Sequence, residues 1–127
     1  MLSQSAAIIF SFFTSIVIVF QFLLISGKPY GHLAMGGKFP GVFSIKLRIS
    51  AFLQACLLLF MSLVILSNAE VISIEILRSS KLVWFSIGVS FISFVLNIIT
   101  PSYYERLLWG PVTAILFISS VIVGINL

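Results

Sequence analysis

Four apolar stretches, each free of charged side chains, constrain this chain more than any other feature. They run from about Ala6 to Ile25, from Ile49 to Leu66, from Leu82 to Ile99, and from Leu107 to Ile125. A helix crossing a hydrocarbon core roughly 30 Å thick needs about 20 such residues. Inside that core there is no water to satisfy backbone N–H and C=O groups, so each stretch must supply its own hydrogen bonds as a helix. The fold expected is all-α: one membrane-embedded bundle of four transmembrane helices filling residues 1–127.

Charge supports the same solvent. Only 8% of residues are charged, where a soluble domain carries about a quarter, and seven Lys/Arg with three Asp/Glu cannot cover a water-facing surface. The formal net charge of +4 raises the possibility of nucleic acid. The positive residues, however, sit in short segments between apolar runs, which suits anionic headgroups and topology control. Membrane lipids are therefore the expected partners, with no nucleic acid. The segment Met1 to Ser5 has no Lys or Arg, and the apolar run behind it exceeds a signal peptide's usual core, so it reads as a retained helix.

The connections differ in character. The first, Ser26 to Lys46, holds five of the eight glycines and two of the four prolines, which disfavours a regular helix. It also keeps Tyr30, Leu33, Met35, Phe39, Val42 and Phe43. A Gly-rich apolar loop of this kind is expected to pack onto the bundle mouth or lie among headgroups. The second, Asn68 to Lys81, mixes Glu70, Glu75, Arg78 and Lys81 with aliphatic residues, as a short interfacial element or two frayed helix ends. In the third, Ser102 and Glu105 have capping-box spacing, which starts the last helix near Tyr103 and predicts a span of 103–125. Pro111 falls within that helix and is expected to bend it. Tyr103, Tyr104 and Trp109 suit an interfacial aromatic belt.

Orientation follows from the positive residues. Lys28, Lys38, Lys46, Arg48 and Arg106 flank one face of the membrane; Arg78 and Lys81 flank the other. That bias puts the Gly-rich loop in the cytoplasm and both termini outside.

Within the third span, Ser86, Ser90, Ser93 and Asn97 are spaced four, three and four apart, which aligns them on one helix face. Such a stripe either lines a path or lets a neighbouring helix approach closely, and the seam is the favoured reading. Ala7, Ser11 and Ser15, Ala51 and Ala55, and Ser120 with Gly124 repeat the small-residue pattern. Gln21 and Gln54 are the bulkiest polar groups within spans and must face the interior or an interface. Together with Asn97 they are placed to cluster beneath the Gly-rich loop, with interhelical packing as the simpler role.

Absences narrow the chemistry. No ionisable residue falls in the central part of any span, which weakens a proton-coupled transporter or pump. One cysteine, Cys56, and one histidine, His32, leave no intramolecular disulfide, no Cys-x-x-Cys pair and no bis-histidine haem. No catalytic residues, cofactor or metal are therefore assigned. The candidate polar interior is Gln21, Gln54, Ser86, Ser90, Ser93 and Asn97. The candidate loop and interface site is Tyr30, His32, Gly36, Gly37, Lys38, Arg48, Glu105, Arg106 and Trp109. Gly36-Gly37-Lys38 lacks the spacing, strand and helix of a phosphate-binding loop.

Two stretches together resemble a group of small bacterial four-helix membrane proteins with no assigned activity. One is Gly31-His32-Leu33-Ala34-Met35-Gly36-Gly37-Lys38 through Arg48. The other, the more specific, runs from Asn97 to Val112 and contains Thr100, Pro101, Ser102, Glu105, Arg106, Trp109 and Pro111. The resemblance spans essentially the whole chain. It implies the four-helix topology and a bacterial inner membrane, and it carries over no catalytic residue.

Three functions are compatible with these features. The favoured one is a non-enzymatic assembly or accessory component acting with itself or a larger membrane-protein partner. The second is a small oligomeric transporter or channel with a path from Ser86 to Asn97. The third is a lipid-headgroup-binding or lipid-active protein using His32, Glu105 and Arg106.

Overall fold

The computed structural model describes residues 1–34 and 37–127. It contains four long helices: α1 (Leu2–Ile25), α2 (Ile45–Asn68), α3 (Ser80–Ile99) and α4 (Tyr103–Ile125). Each is long and apolar enough to cross a membrane, and the chain is a multi-pass helical membrane protein. The helices overrun the expected spans at half of their ends, α2 most of all. Lys46 and Arg48 fall in its first turn and Lys81 in that of α3. A charge ends an apolar window without ending a helix, because long stems carry the charged heads out to the headgroups.

Consecutive spans alternate in direction, so Ile25, Ile45, Ile99 and Tyr103 gather at one end of the bundle, called here the loop end. Helix α1 packs along α2 and α4, and α3 along α4, while α2 and α3 meet much less closely. The bundle is thus tight on three sides and loose on the fourth.

Small residues close the tight sides. Ala7, Ala51, Ala55, Ser86, Ser90 and Ser120 are buried, and the Ser62 hydroxyl donates to that of Ser11 across α1 and α2 at 2.9 Å. A Cβ on Gly124 would lie 2.6 Å from Ile87 Cδ1, so the Ile87 side chain of α3 packs directly on the α4 backbone there. Ser15 departs from the pattern, being exposed and bonded back to the Ser11 carbonyl. The seams expected from sequence are consumed within the chain itself.

Two cores result. One, toward the termini, joins Phe10, Met61, Val64, Ile65, Val83 and Val123. The other, at the loop end, joins Phe20, Leu24, Phe43, Ala51 and Trp109. The second connection is a short interfacial element: a 3₁₀ turn at Glu75–Leu77 tied to α2 by the Asn68 amide, which donates to Val64 and Leu77 carbonyls. Helix α4 continues through Pro111 to Ile125.

Candidate functional site

The first connection folds into a cap over the loop end. A 3₁₀ turn at Gly31–Leu33 is closed by the Gly31 amide donating to the Gly41 carbonyl at 2.9 Å. Gly31 is required by space, since a Cβ there would lie 2.0 Å from the Phe39 carbonyl oxygen. The turn then docks on α4. The Trp109 indole N–H donates to the Leu33 carbonyl at 2.9 Å, and the Ser102 hydroxyl donates to the His32 carbonyl at 3.4 Å. Phe20 packs on the Trp109 ring at a centroid distance of 4.8 Å. Arg48 secures the far end of the cap, its Nε donating to the Phe43 carbonyl at 3.1 Å.

Trp109 is therefore not an aromatic-belt residue, as its position in the sequence leads one to expect. It is 8% exposed and points inward, because a buried indole needs an acceptor and the cap supplies one. Tyr103 and Tyr104 are exposed, as a belt requires.

Beneath the cap lies a cavity of about 620 Å³ between all four helices, within the ordinary range of small-molecule sites of about 300–1,000 Å³. Its walls differ. The residues from α1 and α4, among them Gln21, Leu24, Glu105, Trp109 and Leu116, are buried, apart from the half-buried Val17. Those from α2 and α3 are half-buried or exposed, with Gln54 and Leu96 exposed. The mouth thus opens sideways between α2 and α3, the loose side of the bundle, at a level where the surroundings are lipid.

The lining also changes with depth. Lys38, Thr100, Glu105, Asn97 and Gln21 lie within about a turn or two of the loop end. Val17, Leu57, Leu58, Val89 and Leu116 line the deeper part; Leu116 is about 20 Å along α4 from Tyr103 at 1.5 Å per residue. Thr113 adds little polarity there, since its hydroxyl donates to the Trp109 and Gly110 carbonyls of its own helix.

Hydrogen bonds hold the polar end in place. Gln21 Nε2 donates to Gln54 Oε1 at 3.1 Å, leaving the other half of each amide for the cavity. Asn97 donates back to the Ser93 carbonyl at 2.7 Å. Glu105 is the one carboxylate in the cavity and is only 7% exposed. Its Oε2 accepts from the Thr100 hydroxyl at 3.1 Å, and that hydroxyl accepts from the Ser102 amide at 3.3 Å. The capping box is accordingly half-made. Ser102 does accept from the Glu105 amide, but the Glu105 side chain turns to Thr100 rather than back to Ser102, because Thr100 offers a hydroxyl inside the bundle. Among the described residues no cation pairs with Glu105; the ion pairs join Arg78 to Glu70 and Glu75 at the opposite end. The adjacent Arg106 is turned onto the Thr100 carbonyl.

Comparison with protein-family models, curated proteins and solved structures finds no match in any of the three.

Of the residues singled out from sequence, Gln21, Gln54, Ser93, Asn97, Lys38, Glu105 and Trp109 share the cavity. Ser86 and Ser90 do not; they are buried on α3, so the serine stripe divides into a dry lower half and a cavity-lining upper half. Gly37 adopts φ +72, and a Cβ added there would lie 3.5 Å from the Ser102 side chain; Gly36 lies outside the described residues. Tyr30 is exposed. The exposed His32 ring sits against Tyr104 at 6.1 Å and enters the docking only through its carbonyl. Sequence reasoning missed Thr100, Phe20 and Phe43. Thr100 stands five residues before Glu105, at a hydroxyl-rich helix start that could have marked it.

Proposed function

We propose that this protein binds an amphiphile drawn from the bilayer, with the polar part under the Gly-rich cap and the apolar part in the deeper cavity. The observation that carries this is the lateral mouth between α2 and α3 leading to a buried carboxylate. A carboxylate withdrawn from water is costly unless paired or hydrogen-bonded, and the single Thr100 bond leaves Oε1 of Glu105 without a partner among the described residues. The step from polar to apolar lining matches a molecule with a headgroup and a chain. Binding fits better than chemistry here, because His32 bonds only through its main chain and stands exposed against Tyr104.

This choice reverses the order favoured by the sequence. Assembly drew its support from small-residue seams, and those seams close the bundle on itself. A transport path from Ser86 to Asn97 loses its lower half, where Ser86 donates to the Leu82 carbonyl. The wider proposal places the protein in a bacterial inner membrane, as the resemblance implies, with the cap in the cytoplasm by the excess of positive residues there. Labelling of a cysteine introduced at Pro40 from the outside would overturn that sidedness.

The binding test is lipid analysis of the protein purified in mild detergent. Wild type should retain a stoichiometric amphiphile, and Ser93→Phe, which fills the cavity, should lose it while keeping its helical circular dichroism. Equal retention by a folded Ser93→Phe would reject the cavity as the binding site.

A further inference from the structure

The polar end of the cavity is charged in a specific way. Glu105 brings a carboxylate that is more than nine-tenths buried, fixed on one oxygen by Thr100 and unpaired on the other among the described residues. Lys38, exposed on the cap, is among the residues that line the same cavity and carries the positive charge of that lining. No ion pair joins the two, and Arg106 is committed to the Thr100 carbonyl. A cavity with a negative group in its wall and a positive group in its cover is complementary to a headgroup that carries both signs.

We infer that the ligand is a zwitterionic phospholipid with a primary ammonium, the ammonium donating to Glu105 Oε1 and the phosphate turned toward Lys38. The inference rests on the amphiphile-binding function proposed above and names its headgroup. Two features select it, and a third accommodates the rest of the headgroup. An anionic headgroup without an amine would face Glu105 as a like charge. A quaternary choline has no N–H to donate to Oε1, and a charge-assisted hydrogen bond is roughly twice as strong as a neutral one. The neutral amides of Gln21, Gln54 and Asn97 stand on the same cavity wall and can bond headgroup or glycerol oxygens, whatever their charge.

The test offers the detergent-solubilised protein equal amounts of phosphatidylethanolamine, phosphatidylglycerol and phosphatidylcholine and reads the bound lipid by native mass spectrometry. Phosphatidylethanolamine should exceed each of the others by about tenfold, equivalent to about 1.4 kcal/mol. Glu105→Gln should bring the three lipids to similar levels, and Lys38→Ala should weaken all three. Because Glu105→Gln could disturb the start of α4, the wild-type protein is also offered N-acetylated phosphatidylethanolamine, which lacks the ammonium. That lipid should bind no better than phosphatidylglycerol. Soluble phosphoethanolamine, which has the headgroup without chains, should fail to displace the lipid; displacement at matching concentration would make the ligand a soluble zwitterion and overturn the lipid assignment. Equal binding of all three phospholipids by wild type, or full binding of the N-acetylated form, would overturn the headgroup assignment alone. Binding of no lipid at all would overturn the amphiphile function with it.

Discussion

The indole N–H of Trp109, two turns into α4, donates to the main-chain carbonyl of Leu33 in the cap at 2.9 Å. This bond joins segments 76 residues apart and sets the roof of the cavity against its wall. Trp109→Phe keeps most of the ring contact with Phe20 and removes only the donor. It should cost about 1–3 kcal/mol, because the Leu33 carbonyl is left without its donor. Trp109→Ala removes the ring as well and should cost about 3–5 kcal/mol. Reversible unfolding in mixed micelles gives both values. Hydrogen exchange should place the Phe variant's extra mobility in residues 31–43; uniform loosening of all four helices would contradict the local role.

Gly31 and Gly41 sit opposite each other in the cap, joined by a backbone hydrogen bond, yet they should respond differently to alanine. At Gly31 the new Cβ would run into the Phe39 and Gly41 carbonyl oxygens, at 2.0 and 2.8 Å. Backbone atoms cannot step aside as a side chain can, so Gly31→Ala should unseat the cap and lower lipid retention. At Gly41 nothing lies within 4 Å of the added carbon, but φ is +85; the cost should be confined to about 1–2 kcal/mol of left-handed strain. Protease sensitivity of the cap in the two variants checks the ranking. Equal resistance in both would mean that the cap tolerates displacement of Gly31.

The contrast between these glycines also marks where sequence stops being informative. Periodicity, length and charge placement identify the four helices, because hydrocarbon imposes one solution on a charge-free run of that size. The same reasoning brings Gln21, Gln54 and Asn97 together, since unpaired amides have few places to go in a bilayer. It does not reveal that Gly31 is crowded while Gly41 is open, or that Trp109 turns inward. Those depend on where a distant cap settles, and its docking atoms are main-chain carbonyls of His32 and Leu33, which leave no mark on residue type. Glu105 shows the same limit: capping-box spacing predicts its place on the helix, while the role of its side chain depends on Thr100 being folded beneath it.

Gln21 and Gln54 form the bridge between α1 and α2 at the cavity mouth. A double-mutant cycle with Gln21→Leu and Gln54→Leu should give a coupling of about 0.6 kcal/mol, and no more than about 1.7, as for other interhelical hydrogen bonds in membranes. Both amides also keep a polar atom free for a ligand, so the singles should reduce lipid retention more than they reduce stability. A cycle with no coupling would mean that each amide finds an equivalent partner within the cavity when the other is removed.

At the opposite end, Glu70 occupies a left-handed backbone conformation, φ 64, just past the end of α2. That geometry favours glycine, and holding a residue with a Cβ there costs about 1–2 kcal/mol. The Glu70 side chain gives something back through its ion pair with Arg78 at 2.8 Å, but it is 70% exposed, and an exposed pair is worth about 0.2–1 kcal/mol. The backbone effect is the larger of the two. At high salt, where the pair contributes little, Glu70→Gly should therefore leave the protein as stable as wild type or raise its stability by up to about 1 kcal/mol, even after allowing for glycine's greater freedom when unfolded. Glu75→Ala, which cuts the longer 3.4 Å contact to the same arginine and leaves the backbone alone, should change stability by less than about 0.5 kcal/mol. Unfolding at low and high salt separates the two effects: the ion-pair loss shrinks with added salt, whereas relief of the left-handed strain does not. A Glu70→Gly variant clearly less stable than wild type at high salt would mean that the turn is held by contacts other than its backbone conformation.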